Sequence, residues 1–353
     1  MIWNTNSNLI KTQPVPDDPY ARKAYDFMIS WLAGKEVFIL HTSGSTGIPK
    51  DIEIKRAQLR SSALLTGTAL NLPKGTRALV CLNVNYIAGI MMLVRGMELE
   101  WELSIIIPSS NPLLEFENPG FDFVSMVPLQ LSTILSDEKT KSKVNSLGKI
   151  LLGGAPVNVS LQKQIDHLNV AVYQSYGMTE TVSHIALKKL NNPVCENDYT
   201  VLPGVNFGVD DRGCIFLQGA VTNDDKIQTN DLVEITSENT FNWLGRVDNV
   251  INSGGVKVVL DKVDHVIAEL FYESGYSNNF FSWYEKDEKL GQKLILIIQK
   301  NGQELPVLSL LEEIRKRIST YETPKHVYFV EEFIKTPTDK IDKRRTVYEL
   351  LSH

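Results

Sequence analysis

Nine consecutive residues near the start of the chain carry the side chains that are typical of a phosphate-binding loop. They run from Thr42 to Lys50 and follow an apolar segment from Val37 to Leu40. Glycine allows backbone N–H groups to approach an anion, while hydroxyl groups and a lysine ammonium add donors and positive charge. A polar surface turn after a strand is the alternative interpretation of this segment alone. The hydroxyl, glycine and lysine residues of this candidate loop are Thr42, Ser43, Gly44, Ser45, Thr46, Gly47 and Lys50.

Two better-known phosphate loops do not match this segment. A Walker A loop needs G-x-x-x-x-G-K-[ST], but Pro49 stands where its second glycine belongs. Asp51 follows Lys50, in the place of the magnesium-binding hydroxyl. The dinucleotide pattern G-x-G-x-x-G at the start of a helix is not met either. The sequence therefore predicts a nucleotide loop of a different kind.

Length and composition limit the classes of protein to which the chain can belong. A chain of 353 residues exceeds the usual size of one hydrophobic core, and 43% apolar with 22% charged residues is typical of soluble globular proteins, so two domains are expected. The net charge of -6 disfavours a nucleic-acid-binding protein, although a local basic segment runs from Lys340 to Arg345.

The cysteines and the chain start indicate a cytoplasmic protein. Cys81, Cys195 and Cys214 have no metal-ligand or paired spacing, which is typical of a reducing compartment. Residues Met1 to Thr12 lack the pattern of a signal peptide, and the longest apolar stretch, Tyr86 to Val94, is too short to span a membrane. We therefore expect neither membrane insertion nor secretion.

The order of predicted elements favours an α/β fold with a mostly parallel sheet. Short apolar runs such as Ile150 to Leu152 suit strands that are covered by helices on both faces. Helices are predicted at 21–32, 55–71 and 86–97, and strands at 36–41, 77–82, 104–107, 123–127, 149–152 and 171–173.

The pattern changes in the last third of the chain. After about Pro203, short strands between Gly and Asp pairs predict an antiparallel β region. From Val250, the order strand, strand, helix, strand, strand, helix, strand predicts a small α+β module of about a hundred residues. Its first helix is predicted at 261–273, with an apolar face formed by Val263, Ile267, Leu270 and Phe271. We expect a large N-terminal domain over residues 1–245, a hinge at 246–249 and a lid domain over 250–353.

Four further segments could complete a nucleotide site. Residues 153–156 form a glycine turn against which a planar ring could lie, and residues 173–180 offer an aromatic face, a hydroxyl and a carboxylate. Residues 229–231 and 245–248 add aspartates and an arginine. Each segment alone could equally be an ordinary turn or a group of solvated charges.

Together with residues 42–50, these segments resemble the ordered motifs of the adenylate-forming superfamily, which contains acyl-CoA synthetases, peptide-synthetase adenylation domains and luciferases. Its members carry T-S-G-[ST]-T-G-x-P-K, Y-G-x-T-E, [ST]-G-D, G-R-x-D and a late P-T-G-K-x-x-R, whose counterpart here is residues 337–343. Residues 125–131, 151–156, 173–181 and 251–255 further resemble 2-succinylbenzoate–CoA ligases of menaquinone biosynthesis. Aryl- and medium-chain acyl-CoA synthetases, or a non-catalytic adenylate-binding protein on the same fold, remain alternatives.

The resemblance implies a reaction in two steps that uses ATP, Mg²⁺ and CoA. The carboxylate of an aromatic acid attacks the α-phosphorus of ATP to give an acyl-adenylate and diphosphate, and the CoA thiol then displaces AMP. The implied catalytic residues are Lys340, Thr46 and Glu180, of which Glu180 also binds the metal ion. Beyond the phosphate loop, the implied ATP-binding residues are Gly153, Gly154, Ala155, Gln174, Ser175, Tyr176, Gly177, Thr179, Asp231 and Arg246.

Arg95 is the candidate for substrate specificity. An aromatic acid with a second carboxylate on a succinyl chain needs a cation in a mostly apolar pocket, and Arg95 interrupts an apolar helix where the ligase family places a substrate-binding arginine. A surface arginine that extends its charged end into water is the competing interpretation. Weaker candidates for the acid pocket are Tyr86, Thr181 and Ser183.

The resemblance also implies a moving lid. Asp248 would be the hinge, and rotation would exchange Lys340, which serves adenylation, for a second face that serves thioester formation. That second face would comprise Ser253, Gly254 and Gly255.

Three departures from the superfamily pattern stand out. Relatives carry roughly a hundred residues more before the phosphate loop, so we expect a shortened N-terminal region and a possible homodimer that covers exposed sheet. Asn230 and Asp339 stand where glycines precede Asp231 and Lys340. Asn and Asp are the non-glycine residues that best tolerate positive φ, which is the expected reason for both replacements.

Overall fold

A computed structural model describes residues 1–41, 51–191, 195–336 and 341–352. The predicted phosphate loop Thr42–Lys50 and the segment that contains Asp339 and Lys340 lie outside the described residues. The chain divides into two compact units. The first comprises Met1–Gly208, Phe216–Gln228 and Ile235–Asn242, and the second comprises Val209–Ile215, Thr229–Glu234 and Trp243–His353.

A mixed sheet lies at the centre of the first unit, and its five central strands are parallel to one another. Residues of β7 such as Ile150 and Leu152 are fully buried, as expected for strands covered on both faces. The strands of this region are β1 (Ile2–Thr5), β2 (Val37–His41), β3 (Asp51–Lys55), β4 (Arg77–Val80), β5 (Glu102–Ile106), β6 (Phe123–Met126), β7 (Lys149–Leu152), β8 (Ala171–Gly177), β9 (His184–Lys189) and β10 (Tyr199–Val201).

The strand order places the ends of the central strands side by side. It runs β1-β5-β4-β6-β7-β8-β9-β10 in the first unit. The strands from β5 to β8 are parallel to their neighbours, while β1, β9 and β10 are antiparallel. The carboxyl ends of the parallel strands therefore share one edge, where α/β proteins bind ligands.

Helices pack beside this sheet and connect its strands. Asp18 begins the first helix, because its carboxylate accepts hydrogen bonds from the amides of Tyr20 and Ala21. The helices of this region are α1 (Pro19–Leu32), α2 (Arg56–Ala69), α3 (Ile87–Glu98), α4 (Pro128–Ser136) and α5 (Val159–Ile165).

Helix α3 is the most deeply buried of these helices. Every residue from Gly89 to Met97 is buried, including Arg95. A Cβ on Gly96 would overlap the side chain of Leu103 on β5, so glycine lets the helix approach that strand closely. The helix also packs against α2. This packing fixes the position of Arg95 relative to α2.

The strand order continues through four further strands, each of which has residues that belong to both units. They are β11 (Val205–Val209), β12 (Cys214–Gly219), β13 (Ile227–Ser237) and β14 (Thr240–Arg246), and in the described part of the chain they complete a sheet of twelve strands. The predicted antiparallel region after Pro203 is thus present, with a turn at 210–213 where the Asp and Gly residues indicated one.

A five-stranded sheet with helices forms most of the described second unit. Helix α6 buries the predicted apolar face, with Val263, Ile267, Leu270 and Phe271 in the core. The elements are β15 (Val250–Ser253), β16 (Val256–Val259), α6 (Leu260–Glu273), β17 (Phe280–Asp287), β18 (Gly291–Gln299), α7 (Val307–Arg317), β19 (His326–Val330) and α8 (Lys343–Leu351).

The basic segment near the C-terminus leads into helix α8. The Asp342 carboxylate caps this helix by accepting a hydrogen bond from the Arg345 amide. Lys343 forms an ion pair of 3.0 Å with Asp264 on α6. Burial raises the pKa of the Asp264 carboxyl, and the charge of Lys343 partly offsets this effect. Within the described ranges, no helix is long and apolar enough to span a membrane.

Candidate active site

The ends of β7 and β8 bring two predicted nucleotide-binding segments together. Leu152 pairs with Gln174, and the Ser175 hydroxyl donates to the Leu152 carbonyl at 2.8 Å. A Cβ on Gly153 would lie 2.8 Å from Ser175 Oγ, so a side chain there would displace that hydroxyl. Gly154 has a φ of +80°, a conformation that favours glycine. The two segments thus lie side by side at the edge of the sheet where α/β proteins bind ligands.

Tyr176 is held by aromatic neighbours directly after Ser175. Its ring lies edge-on to Phe241, with centroids 5.2 Å apart, and 5.7 Å from Tyr199. Burial raises the pKa of Tyr199 to about 12. Tyr176 itself is half-buried. A fixed and partly accessible ring is suited to stacking on a nucleobase.

Gly177 connects the end of β8 to the region of the predicted acid pocket. It pairs with His184 on β9, and a Cβ on Gly177 would overlap the backbone of Ser183 and His184. Only glycine fits there without a shift of the backbone. The end of β8 and residues 183–184 therefore cannot move apart independently.

The loop between β8 and β9 contains the predicted residues Thr179, Glu180 and Thr181. Glu180 is exposed in the first turn of a short helical segment. Thr181 is buried, and its hydroxyl oxygen accepts a hydrogen bond from the Met178 amide. The same hydroxyl can donate to the backbone carbonyl oxygen of Met178 or of Ser183. The Thr181 hydroxyl therefore stabilises the loop. Tyr86 is exposed and directly precedes α3, the helix that contains Arg95.

Val182 adopts a strained backbone conformation in this loop. Its φ of 66° and ψ of -54° place it in a γ-turn, closed by a 2.7 Å hydrogen bond from the Ser183 amide to the Thr181 carbonyl. Such a conformation is a clear outlier for a β-branched residue. The Val182 side chain is fully buried, which compensates for the strain. The turn directs the Ser183 hydroxyl toward Arg95.

Arg95 is a buried cation with neutral partners. Only 2% of the residue is exposed, so the interpretation of Arg95 as a surface residue is wrong. It donates from Nε to Thr66 Oγ1 at 3.1 Å, from Nη2 to Ser183 Oγ at 3.0 Å and from Nη1 to Met92 Sδ at 3.6 Å. Burial lowers the pKa of Arg95 to about 9, so the guanidinium is still charged at neutral pH. In the described part of the chain, Arg95 forms no ion pair with an Asp or Glu.

His184 completes this group and had not been predicted from the sequence. Its Nε2 lies 3.3 Å from Thr66 Oγ1, and its Nδ1 lies 3.3 Å from Ser183 Oγ. Burial lowers the pKa of His184 well below its usual value, and the charge of Arg95 lowers it further. Thr66 and His184 are 118 residues apart, so no spacing pattern could have indicated their contact.

The second unit holds the predicted ribose and hinge residues. Arg246 forms ion pairs with Asp231 at 3.5 Å and with Asp248 at 2.8 Å. The Asp231 amide donates to Thr229 Oγ1 at 3.0 Å. Partial burial lowers the pKa of Arg246, but the hydrogen bond to Asp248 and the charges of the neighbouring carboxylates together outweigh burial, so the pKa is raised.

Asn230 does not have the backbone conformation that was predicted for it. It lies within strand β13, and it is not among the described non-glycine residues with positive φ, so the proposed reason for its replacing glycine is wrong. Its side chain instead connects two charged residues. The amide oxygen accepts from Arg212 at 3.1 Å, and the amide nitrogen lies 3.4 Å from the Asp248 carboxylate.

The segment assigned to the thioester step forms a tight turn between β15 and β16. Gly254 and Gly255 have φ values of 61° and 84°. Glycine adopts such positive φ values readily, whereas few other residues do. Ser253 is buried and pairs with Gly291. A Cβ on Gly254 would lie 3.2 Å from Leu290, whereas no atom lies within 4 Å of a Cβ on Gly255.

Residues on both sides of the segment 337–340 are bound to each other. Lys335 forms a β-bridge with Ile341, and the Asp342 amide donates to the Ile334 carbonyl at 2.7 Å. The ion pair between Lys343 and Asp264 attaches the start of α8 to α6. The chain thus enters and leaves the segment of Lys340 from a fixed base.

The described residues are compatible with a magnesium ion that has few protein ligands. Glu180 offers an exposed carboxylate, a hard oxygen ligand, in the loop that follows β8. Among the residues that the structure describes, no three His, Cys, Asp or Glu side chains are grouped to hold a metal ion. Magnesium in nucleotide enzymes is held by one or two carboxylates and by substrate phosphates, which this arrangement fits.

Comparison with known proteins identifies the family of the chain. A family model described as AMP-binding enzyme matches residues 10–211. The chain belongs to the AMP-binding enzyme family. It has the adenylate-forming fold. Its activity is that of an AMP-forming acid–CoA ligase.

Individual relatives differ in how much they share with the chain. A 2-succinylbenzoate–CoA ligase from Bacillus cytotoxicus is 26% identical over 346 residues, which cover 89% of this chain and 70% of the relative. An acyl-CoA synthetase (AMP-forming)/AMP-acid ligase II-like protein from Dyadobacter fermentans is 58% identical in sequence to this chain. Its crystal structure matches the chain with a TM-score of 0.71, and the match covers 99% of this chain and 100% of that chain. An o-succinylbenzoate CoA synthetase from Bacillus subtilis, in complex with its acyl-adenylate intermediate, is 20% identical with a TM-score of 0.70, over 86% of this chain and 67% of that chain.

Proposed function

We propose that this protein is a 2-succinylbenzoate–CoA ligase that forms 2-succinylbenzoyl-CoA, AMP and diphosphate from the acid, ATP and CoA, as a step of menaquinone biosynthesis. The observation that carries the proposal is Arg95, a buried guanidinium with neutral partners. The names of the Bacillus relatives support the same substrate.

A buried unpaired cation is unfavourable unless a ligand compensates for its desolvation. Removal of a charge from water costs several kcal/mol, and neutral hydrogen-bond acceptors recover only part of this loss. A carboxylate beside Arg95 would restore a charge pair in a region of low dielectric. The acid would therefore carry two carboxylates, one that is activated and one that Arg95 binds. Benzoate and fatty acids have only one.

The residues of the chain would act mainly by binding and orienting the reactants. Gly153 and Gly154 would leave space for the adenine beside the Tyr176 ring, and Asp231 would accept hydrogen bonds from the ribose hydroxyls. Lys340 would lie between the carboxylate and the α-phosphate, where negative charge develops. Mg²⁺, held by Glu180 and phosphate oxygens, would neutralise phosphate charge. The thiol of CoA would then attack the acyl-adenylate at the face of Ser253 to Gly255.

A panel of carboxylic acids with ATP, Mg²⁺ and CoA tests this proposal, with the thioester product identified by mass spectrometry. The panel contains 2-succinylbenzoate, benzoate, a medium-chain fatty acid and two analogues that each lack one carboxylate, 2-butanoylbenzoate and 4-oxo-4-phenylbutanoate. We expect 2-succinylbenzoate to give the highest kcat/KM by tenfold or more. Preference for benzoate or the fatty acid would favour an aryl- or medium-chain acyl-CoA synthetase. Release of no AMP with any acid would favour an adenylate-binding protein.

The role of Lys340 is tested by separating the two half-reactions. Lys340→Ala should abolish acid-dependent diphosphate release, while added acyl-adenylate is still converted to the thioester. Replacement of Gly255 by Trp should leave diphosphate release intact and impair the second step. Equal loss of both steps in Lys340→Ala would remove Lys340 from its assigned role.

A further inference from the structure

Arg95 and three neighbouring side chains form a closed ring of hydrogen bonds. Arg95 contacts Thr66 on α2 and Ser183 before β9, and His184 contacts both of these hydroxyls. Thr66, Arg95 and His184 are buried. We call Arg95, Thr66, Ser183 and His184 the arginine ring. Three separate segments of the first unit contribute to it.

The donors and acceptors of the ring determine which nitrogen of His184 carries a proton. The Thr66 hydroxyl donates to the Ser62 carbonyl at 2.9 Å, so its oxygen must act as acceptor toward Arg95 Nε and His184 Nε2. His184 Nε2 therefore carries the hydrogen, and Nδ1 accepts from the Ser183 hydroxyl. The Ser183 oxygen in turn accepts from Arg95 Nη2. The neutral imidazole satisfies every partner in the ring.

The ring leaves one edge of the guanidinium with a weak partner. Nε and Nη2 are bound by the two hydroxyls, while Nη1 contacts only the thioether of Met92 among the residues that the structure describes. Sulfur is a weak acceptor that a carboxylate can replace. The orientation of this edge depends on Thr66 and Ser183. His184 holds both hydroxyls from the opposite side of the ring.

We propose that His184 is a positioning residue that orients Arg95, through Thr66 and Ser183, for the second carboxylate of the acid substrate. The inference rests on the proposed function, because it concerns the same acid. The strained turn at Val182 serves the same end, since it fixes Ser183 between Arg95 and His184. A locked set of neighbouring side chains is what precise recognition by a single cation requires.

Steady-state kinetics of two His184 variants test this role. His184→Phe keeps an aromatic ring but removes both hydrogen bonds, and we expect the KM for 2-succinylbenzoate to rise about tenfold while kcat and the KM for ATP change less than threefold. His184→Gln offers one donor and one acceptor, and it should raise the acid KM less than threefold. An unchanged acid KM in His184→Phe, an equal rise for acid and ATP, or equal effects of Phe and Gln would overturn the proposal.

A second pair of variants keeps the test valid if His184→Phe does not fold. Thr66→Val removes the hydroxyl that links Arg95 to His184, and Thr66→Ser restores it. Thr140→Val is the matched control, because Thr140 is also a buried hydroxyl but is bonded to the Ile134 carbonyl and Asn111. Only Thr66→Val should raise the acid KM. The same rise in Thr140→Val, or none in Thr66→Val, would contradict the role of the ring.

Arg95→Ala separates the failure of this inference from the failure of the proposed function. If Arg95→Ala does not raise the acid KM, the acid is not bound as proposed, and both proposals fail. If Arg95→Ala raises the acid KM and His184→Phe does not, only the positioning role of His184 is wrong.

Discussion

Two regions of the molecule hold arginine side chains in opposite ways. In the arginine ring, Arg95 is buried and bound by neutral groups. In the second unit, Arg246 is half-exposed and pairs with the carboxylates of Asp231 and Asp248. We call the latter group, together with Arg212 and Asn230, the hinge cluster.

The difference indicates what each region can do. A buried charge without an ionic partner keeps its full attraction for an incoming anion, because the surrounding dielectric is low. Exposed pairs contribute about 0–1 kcal/mol each and exchange partners easily, since water competes for them. The arginine ring is therefore suited to selective binding of a ligand. The contacts of the hinge cluster are of the kind that can break and re-form, as the predicted hinge at Asp248 would require.

Arg95→Ala should have the largest effect. Loss of one partner of a buried charge pair costs about 2–5 kcal/mol. We therefore expect kcat/KM for 2-succinylbenzoate to fall about 100-fold or more. Arg77→Ala is the control, because Arg77 is exposed and pairs with Asp122. A fall of less than threefold in Arg95→Ala would contradict the contrast between the two regions.

Gly177→Ala should have the next largest effect. The added Cβ would overlap the backbone at Ser183, and overpacking of this kind costs about 1–3 kcal/mol. The shift would displace Ser183 from Arg95, so both the stability and the acid KM should suffer, as measured by denaturant unfolding and kinetics. Gly75→Ala introduces a Cβ at positive φ into open space and should change the stability alone. Equal acid KM values in the two variants would show that the strand and the ring are not coupled.

The stability of the protein should depend on the protonation of His184. Because burial lowers its pKa in the folded state, the unfolded state binds more protons below about pH 6.5. The free energy of unfolding should therefore decrease as the pH falls from about 7 to 5.5, by about 1 kcal/mol from this group. Urea unfolding of the wild type and of His184→Gln at both pH values measures the contribution. The same pH slope in both proteins would exclude it.

Asn230→Gly should have the smallest effect. It removes contacts to Arg212 and Asp248 that are exposed to water, so we expect a change of about 0.5 kcal/mol or less in the free energy of unfolding and less than twofold in kcat/KM. The effect should decrease further at high salt, since exposed charges are screened. A loss of tenfold or more would mean that the hinge cluster is as critical as the arginine ring.

The sequence predicted features that depend on local patterns. Apolar periodicity indicated α6 and its buried face, and a charge within an apolar helix indicated Arg95. The sequence did not indicate β3. This strand has only five residues, and it is stabilised by antiparallel pairing with β2. Nor could the sequence indicate the γ-turn at Val182, because a β-branched residue disfavours that conformation.

The missed partners of Arg95 and Asn230 have a common reason. The arginine ring depends on contacts between segments that are distant in sequence, as between Thr66 and His184. Asn230 was predicted to replace glycine because of its backbone conformation. Its side chain instead contacts Arg212, which is 18 residues away in sequence. Contacts of this kind are set by strand order and packing, which no single motif encodes.

The central claim is that Arg95 recognises the second carboxylate of the acid, and calorimetric binding of acids to the wild type and Arg95→Ala tests it most directly. The dissociation constants of 2-succinylbenzoate, 2-butanoylbenzoate and 4-oxo-4-phenylbutanoate are measured with a non-hydrolysable ATP analogue present. We predict that the wild type binds 2-succinylbenzoate at least tenfold more tightly than one of the analogues, and that this difference falls below threefold in Arg95→Ala. The same difference in both proteins would contradict the claim.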